Sequence, residues 1–145
     1  LKSDGTDPSW VTSLPSGVVS NLITTLLAAQ SDQETGSSTT LFVSPGRQQF
    51  HPSACKIWGS FNFAGSIAAS YNVTSIADTG TGQVTVTIAT DFSSANYSVQ
   101  ATTVGNDFVG TSSIKAAGSF VANCFNTAGS LADSGAIDVA CFGDL

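Results

Sequence analysis

From Cys55 onward the chain alternates apolar and polar residues with a period of two, and this alternation constrains the fold more than any other feature. It is clearest in Val84–Ile88, where Val84, Val86 and Ile88 are separated by threonines. Side chains two apart share one face of a strand, so such a stretch predicts a half-buried strand. The predicted strands are Cys55–Phe63, Ile67–Ile76, Val84–Ile88, Tyr97–Val104, Ser113–Phe125 and Ile137–Phe142, with a turn at 77–82. Short strands at near-regular spacing predict a mostly β fold, with an antiparallel β-sandwich over residues 53–145.

Residues 1–52 have a different pattern and are predicted to be a connecting segment. Within it, one apolar stripe has the spacing of a helix over residues 17–29. Its members are Val18, Val19, Leu22, Ile23, Leu26 and Leu27. A helix of this length is marginal alone and must dock on something. Val19, Leu22 and Leu26 fit a seam between chains as well as a stripe that packs on its own domain, and both alternatives stay open.

Two shorter elements are predicted between this stripe and the strands. Ser31–Glu34 has the spacing of a capping box that opens one helical turn, and Gly36 is expected to end it. A short strand is predicted over Thr39–Val43, before Pro45.

The composition excludes several classes of function. Charged residues make up only 10% of the chain, whereas 39 of its 145 residues are Ser or Thr. The net charge of −6 argues against a nucleic-acid partner, which needs clustered cations. No apolar run is long enough to span a membrane, so no membrane insertion is expected. Because the chain starts at Leu1 and contains no Met, we expect a fragment or processed product of a longer protein.

Three cysteines cannot all pair within one chain. By strand parity Cys55, Cys124 and Cys141 share faces with apolar neighbours, which predicts buried free thiols. A bridge between Cys124 and Cys141 is the alternative. A zinc site is not expected, since no CxxC pair occurs.

Groups that could carry enzyme chemistry are scarce. The single histidine, His51, stands beside Pro52 and is expected to make structural hydrogen bonds. The aspartates fall in separate turn contexts, and no nucleophile elbow, phosphate loop or dinucleotide motif is present. We therefore predict no enzyme, no catalytic residue, no metal site and no cofactor.

Several stretches together resemble the C-terminal region of tailed-bacteriophage tail-fibre and related virion fibre proteins. They are LKSDGTDPSW, LAAQSDQETGSSTTLFVSPGRQQFHPSACKIW, FNFAGSIAASYNVTSIADTGTGQVTVTIATDFSSANYSV and the closing CFGDL. The similarity is firmest over residues 38–99. The chain departs from the usual pattern at Cys55, where the family has Ala, at 57–61, where it has AWVNF, and at the apolar stripe 17–29.

The resemblance implies a homotrimeric virion structural protein that ends a fibre or spike in a β-rich domain. Its expected partners are its own copies, an upstream fibre stem or other virion proteins, and a glycan of the host cell surface. It implies a location on the virion. The alternatives are a purely structural piece, such as a head fibre, collar or adaptor, and a carbohydrate-binding module attached to an upstream enzyme.

Two sites follow from these patterns. Residues 105–110 form a glycine-bounded stretch in which Asn106, Asp107 and Phe108 are the predicted receptor contacts, because recognition usually lies on loops of a rigid scaffold. Trp58 alternates with Ile57 and is expected on the opposite strand face. There it is either exposed or in the subunit interface, and we favour the interface.

Overall fold

The computed structural model describes residues 26–105 and 108–145, and at residues 108 and 109 the description is of the backbone. Two short helical elements come first: α1 (Gln30–Thr35) and a 3-10 helix (Pro45–Phe50). The strands that follow are β1 (Ile57–Phe61), β2 (Ile67–Tyr71), β3 (Val73–Gly80), β4 (Gln83–Ile88), β5 (Ser98–Val104), β6 (Phe108–Ala116), β7 (Ser119–Asn126) and β8 (Ala136–Phe142).

The strands form two antiparallel sheets of four, which confirms the predicted mostly β, sandwich-like fold. The first sheet has the order β2-β1-β8-β5 and the second the order β3-β4-β7-β6. One continuous core of apolar side chains comes from both sheets. Its fully buried members include Ile57, Phe61, Val84, Val86, Phe120 and Ile137. The alternation in β4 gives the predicted result, because Val84, Val86 and Ile88 all point into this core.

The prediction of one strand over Ile67–Ile76 is wrong, because the chain changes sheets at Asn72. β2 belongs to the first sheet and β3 to the second. Asn72 has a φ of 58°, a left-handed conformation that asparagine tolerates better than most residues. Its side chain fixes the corner: Nδ2 donates to the Thr90 carbonyl at 3.1 Å, and Oδ1 accepts from the Thr90 N–H at 2.7 Å.

Two other strand boundaries also differ from the prediction. The expected single strand over Ser113–Phe125 is a hairpin, with a turn at residues 117–118 between β6 and β7. The predicted turn at 77–82 is shorter than expected, because β3 continues to Gly80. In both places the alternation did not report where a strand ends.

In residues 26–52, the described part of the connecting segment, the structure differs from the prediction. Residues up to 25, including Val19 and Leu22, lie outside the described residues. Leu27 forms a parallel bridge with Phe42, and Ala29 is extended, so the predicted helix over 17–29 does not reach its expected end. The predicted strand Thr39–Val43 is reduced to that one bridge.

The predicted helical turn after the stripe is confirmed as α1, with a different start. Ala29 is the N-cap, and the Asp32 carboxylate accepts the Ala29 N–H at 2.8 Å. Gly36 ends the helix in the left-handed conformation, with a φ of 64°.

All three cysteines are free thiols, so the alternative bridge between Cys124 and Cys141 is not formed. Cys124 and Cys141 are fully buried, as predicted. The prediction that Cys55 is buried is wrong, because this residue precedes β1 and is only half-buried, outside the core cluster. Strand parity does not apply to it, since the chain is not yet a strand there.

Candidate functional site

The predicted receptor contacts fall largely beyond what the structure describes. Asn106 and Asp107 lie outside the described residues. The backbone of Phe108 begins β6 and pairs with Asn126 of β7. The expectation of a loop through residue 110 is therefore wrong from Phe108 onward, because these residues belong to a strand. Receptor contact by this stretch stays a prediction.

Of the predicted subunit-interface residues, the structure describes Leu26 and Trp58. Leu26 is half-buried, and its carbonyl accepts the N–H of Phe42 at 2.7 Å. Trp58 lies in the first sheet, on the face opposite Ile57 as expected. Trp58 is 46% exposed, so none of the described residues buries it completely.

The most distinctive surface feature is an aromatic pair formed by Trp58 and Tyr71. Trp58 in β1 and Tyr71 in β2 are direct cross-strand partners. Paired side chains in adjacent antiparallel strands lie on one face, with their Cβ atoms about 5 Å apart. Tyr71 is 43% exposed. On its other side Trp58 pairs with Ala140 of β8, whose methyl group is too small to cover an indole. The pair therefore forms an open aromatic surface on the outer face of the first sheet.

The 3-10 helix borders this aromatic pair. The Tyr71 hydroxyl donates to Oε1 of Gln49 at 3.1 Å. Between the helix and the rings lies a shallow hollow of about 380 Å³. It is lined by Pro45, Gln48, Gln49, Ala54, Cys55, Trp58 and Tyr71. We call this hollow and its two rings the aromatic site.

Lys56 holds the 3-10 helix in place. The lysine is 1% exposed, and its Nζ donates to the backbone carbonyls of Gln49 and His51, the latter at 2.8 Å. A cation at the carboxyl end of a helix satisfies carbonyls that have no partner within the helix. Burial lowers the pKa of Lys56, although Asp144 and Glu34 favour its charged form. Lys56 and Ile57 are neighbours in the chain and both are buried, so the burial here does not follow a period of two. No signal in the sequence indicated the role of Lys56.

A second, smaller hollow of about 230 Å³ adjoins the aromatic site across Tyr71. It is lined by Gln49, Tyr71, Asn72, Thr90 and Leu145. The side chains that line the two hollows are aromatic, amide, hydroxyl, thiol or aliphatic, and none is charged. Such a surface can stack a flat or ring-shaped neutral ligand and hydrogen-bond its polar groups.

A third hollow, of about 570 Å³, lies between α1 and the 3-10 helix. Gln33 and His51 both line it. His51 Nδ1 lies 2.7 Å from the Ser53 hydroxyl and accepts the Ser53 N–H at 3.2 Å. Gln33 is 3% exposed, and neither of its amide atoms has a hydrogen-bond partner among the described residues.

Replacing Gln33 should therefore stabilise the domain. Gln33→Met keeps the shape of the side chain and removes a buried amide without a partner, an arrangement that costs about 1–3 kcal/mol. We expect the free energy of unfolding in urea to rise by about 1 kcal/mol. Gln30→Met is the matched control, since the Gln30 amide donates to Glu34 at 2.6 Å on the exposed side of α1. A loss of stability in Gln33→Met alone would mean that this amide has a partner beyond the described residues.

No group of three or more metal-ligating side chains occurs among residues 26–105 and 108–145. None of the helices in this part of the chain is long and apolar enough to cross a membrane. Comparison of the chain with protein-family models, curated proteins and solved structures finds no match.

Proposed function

We propose that this chain is the terminal domain of a bacteriophage fibre or spike, and that it contacts a neutral glycan of the host surface through the aromatic site. The exposed pair Trp58 and Tyr71 carries this conclusion. A contiguous exposed apolar patch on a domain surface often marks an interaction site. The resemblance to virion fibre proteins supplies the context of a virion and a host cell.

The chemistry of the aromatic site matches a sugar. A pyranose ring has an apolar face that packs on an aromatic ring and a rim of hydroxyls that needs donors and acceptors. Trp58 and Tyr71 supply the rings, and Gln48 and Gln49 supply amide groups at the edge of the same hollow. An acidic or basic ligand would instead favour a counter-charge, which the lining side chains lack.

A purely structural role is the second candidate, and the same tryptophan favours it. In that case Trp58 packs against another copy of the chain or another virion protein, which removes its exposed indole from water. The two functions differ in what the loss of Trp58 affects: glycan binding in the first, assembly in the second.

Removing either ring should weaken glycan binding at least about tenfold, which is about 1.4 kcal/mol. The measurement starts with an array of bacterial surface polysaccharides probed with the 145-residue chain. The tightest neutral binder is then titrated while tryptophan fluorescence is followed. Trp58→Ala and Tyr71→Ala are compared with the wild type by calorimetry, since the first variant lacks the reporter near the site.

The control is Val104→Ala, because Val104 is 52% exposed at the end of β5, on the far edge of the same sheet. It should bind like the wild type. Sedimentation velocity on the same variants separates the two functions. Failure of the wild type to bind any polysaccharide, together with dissociation of Trp58→Ala, would reject the glycan site in favour of the structural role.

A further inference from the structure

The three hollows around the 3-10 helix are connected to one another. The third hollow and the hollow of the aromatic site share Pro45, Gln48 and Ala54 in their linings. The hollow of the aromatic site and the second hollow share Gln49 and Tyr71. Because the same side chains line two neighbouring hollows, a ligand that is longer than one hollow extends directly into the next. We call the three connected hollows the groove, and the aromatic site is its middle.

Hydrogen bonds within the chain hold the walls of the groove in place. Lys56 Nζ donates to the backbone carbonyl of Gln49, and the Gln49 side chain accepts the Tyr71 hydroxyl at 3.1 Å. At one end of the groove, both polar atoms of the Asn72 amide are bonded to the backbone of Thr90. A preformed site loses less conformational freedom when a ligand binds. The groove therefore needs little rearrangement to accept a chain along its length.

Polar groups that are ready for a ligand lie along the whole groove. At one end, His51 Nδ1 accepts the Ser53 N–H at 3.2 Å, so the ring proton lies on Nε2, which has no partner among the described residues. In the middle, the Gln48 amide and Gln49 Nε2 are likewise without a partner in this part of the chain. At the other end, the exposed Thr90 has its backbone bonded to Asn72, while its hydroxyl has no partner among the described residues.

The lining of the groove indicates an uncharged ligand. No carboxylate, ammonium or guanidinium side chain occurs among the described residues that line the three hollows. An acidic polysaccharide or a charged peptide would bring charges that find no counter-charge there. A neutral polysaccharide brings hydroxyls at each of its residues, and these can both donate to and accept from amide, imidazole and hydroxyl groups.

The openness of the groove indicates a ligand of several residues. Trp58 and Tyr71 are 46% and 43% exposed, and Gln48, His51 and Thr90 are also exposed. A single sugar ring in any one hollow would therefore keep much of its surface in water. The loss of translational and rotational freedom is incurred once for each ligand, whereas contacts increase with each residue that is bound. An open groove thus binds a chain far better than it binds one ring.

We infer that the groove binds an extended run of neutral sugar residues, about one for each of the three hollows. A middle residue packs on Trp58 and Tyr71, and its neighbours reach His51 in one direction and Thr90 in the other. This inference rests on the proposed function and adds the form of the ligand. The chain recognises the interior of a polysaccharide, and a single terminal sugar is not enough.

A series of oligosaccharides of increasing length tests this inference. The neutral polysaccharide that the 145-residue chain binds most tightly is cut by partial acid hydrolysis, and fragments of one to six sugar residues are titrated by calorimetry. We expect the affinity to rise at least about tenfold between one residue and four, and to level off once the groove is filled. Equal affinity for one residue and for six would overturn the inference and leave the proposed function standing. A wild type that binds no fragment and no polysaccharide would reject both.

Variants at the two ends of the groove test the direction of the bound chain. His51→Ala removes the Nε2 donor at one end, and Thr90→Val removes a hydroxyl at the other while its backbone bonds to Asn72 remain. Each should weaken the binding of the longest fragment at least about threefold, through the loss of one hydrogen bond. Both effects should shrink as the fragment is shortened, whereas Trp58→Ala should weaken the binding of every fragment.

Thr127→Val is the matched control, because it makes the same chemical change at an exposed threonine outside the groove. Thr127 follows β7, whose last residues pair with the start of β4, whereas Thr90 follows the end of β4. The two threonines therefore lie at opposite ends of the second sheet. Thr127→Val should bind like the wild type, and urea unfolding checks that each variant is folded. If His51→Ala and Thr90→Val bound the longest fragment as tightly as Thr127→Val, the ligand would be confined to the aromatic site and the inference would be wrong.

Discussion

Raising the pH from 7 to 10.5 should lower the free energy of unfolding, and two buried acids contribute roughly 3 kcal/mol to this loss. Burial raises the pKa of Cys141 to about 12, with a further contribution from Cys55 that Lys115 opposes. Burial likewise raises the pKa of Tyr97 to about 12, with a smaller effect from Cys141. Both groups ionise more readily in the unfolded chain, which therefore binds fewer protons above pH 9 than the folded chain does. This stability is fully present below about pH 8 and falls as the pH rises toward 12.

Urea titrations under reducing conditions at pH 7, 9 and 10.5 measure this loss. Tyr97→Phe and Cys141→Ala should each reduce the slope of stability against pH by removing one of the two acids. Tyr97→Phe also removes a hydroxyl that lies within hydrogen-bond distance of the carbonyls of Ala116 and Ser119, so it should be less stable at pH 7. Lys56 acts in the opposite direction, because its lowered pKa favours the folded chain as the pH rises. If Tyr97→Phe and Cys141→Ala had the same slope of stability against pH as the wild type, the burial of both acids would be contradicted.

Gly59→Ala should destabilise the domain by about 3 kcal/mol, although alanine is ordinarily as good a strand residue as glycine or better. The Phe61 ring folds back over Gly59 on the core face of β1. A Cβ at Gly59 would lie 2.6 Å from Cε1 of that ring and closer still to Cζ. Phe61 is 1% exposed and packed in the core, so the ring cannot move aside without opening a cavity.

Gly46→Ala is the control for this substitution. Nothing lies within 4 Å of a Cβ built at Gly46, so the change should alter stability by no more than about 0.5 kcal/mol. Urea unfolding at pH 7 compares both variants with the wild type. If Gly59→Ala were as stable as Gly46→Ala, the Phe61 ring would have to lie elsewhere.

For the candidate site, the sequence identified Trp58 and its strand face but not its neighbour. Tyr71 belonged to a predicted strand, and nothing in its own pattern separated it from other alternating residues. Only the pairing of β1 with β2 places the two rings side by side, and that register depends on the short turn between the strands and on the shift at Ser60 and Phe61, which the alternation did not report. Lys56 is similar: its partners are carbonyls at the end of a 3-10 helix, in a region that the sequence predicted only as part of a connecting segment.

For the fold, the sequence by itself determined which face of β4 and of β8 is buried. Val84, Val86 and Ile88 are in the core because a period of two is a local property of a strand. The tertiary structure alone decided where the strands end and which sheet each one joins. The alternation of Ile67–Ile76 continues unbroken through Asn72, yet the chain turns there into the other sheet. The physical reason is that this corner is held by Thr90, far along the chain, so no pattern among neighbouring residues could report it.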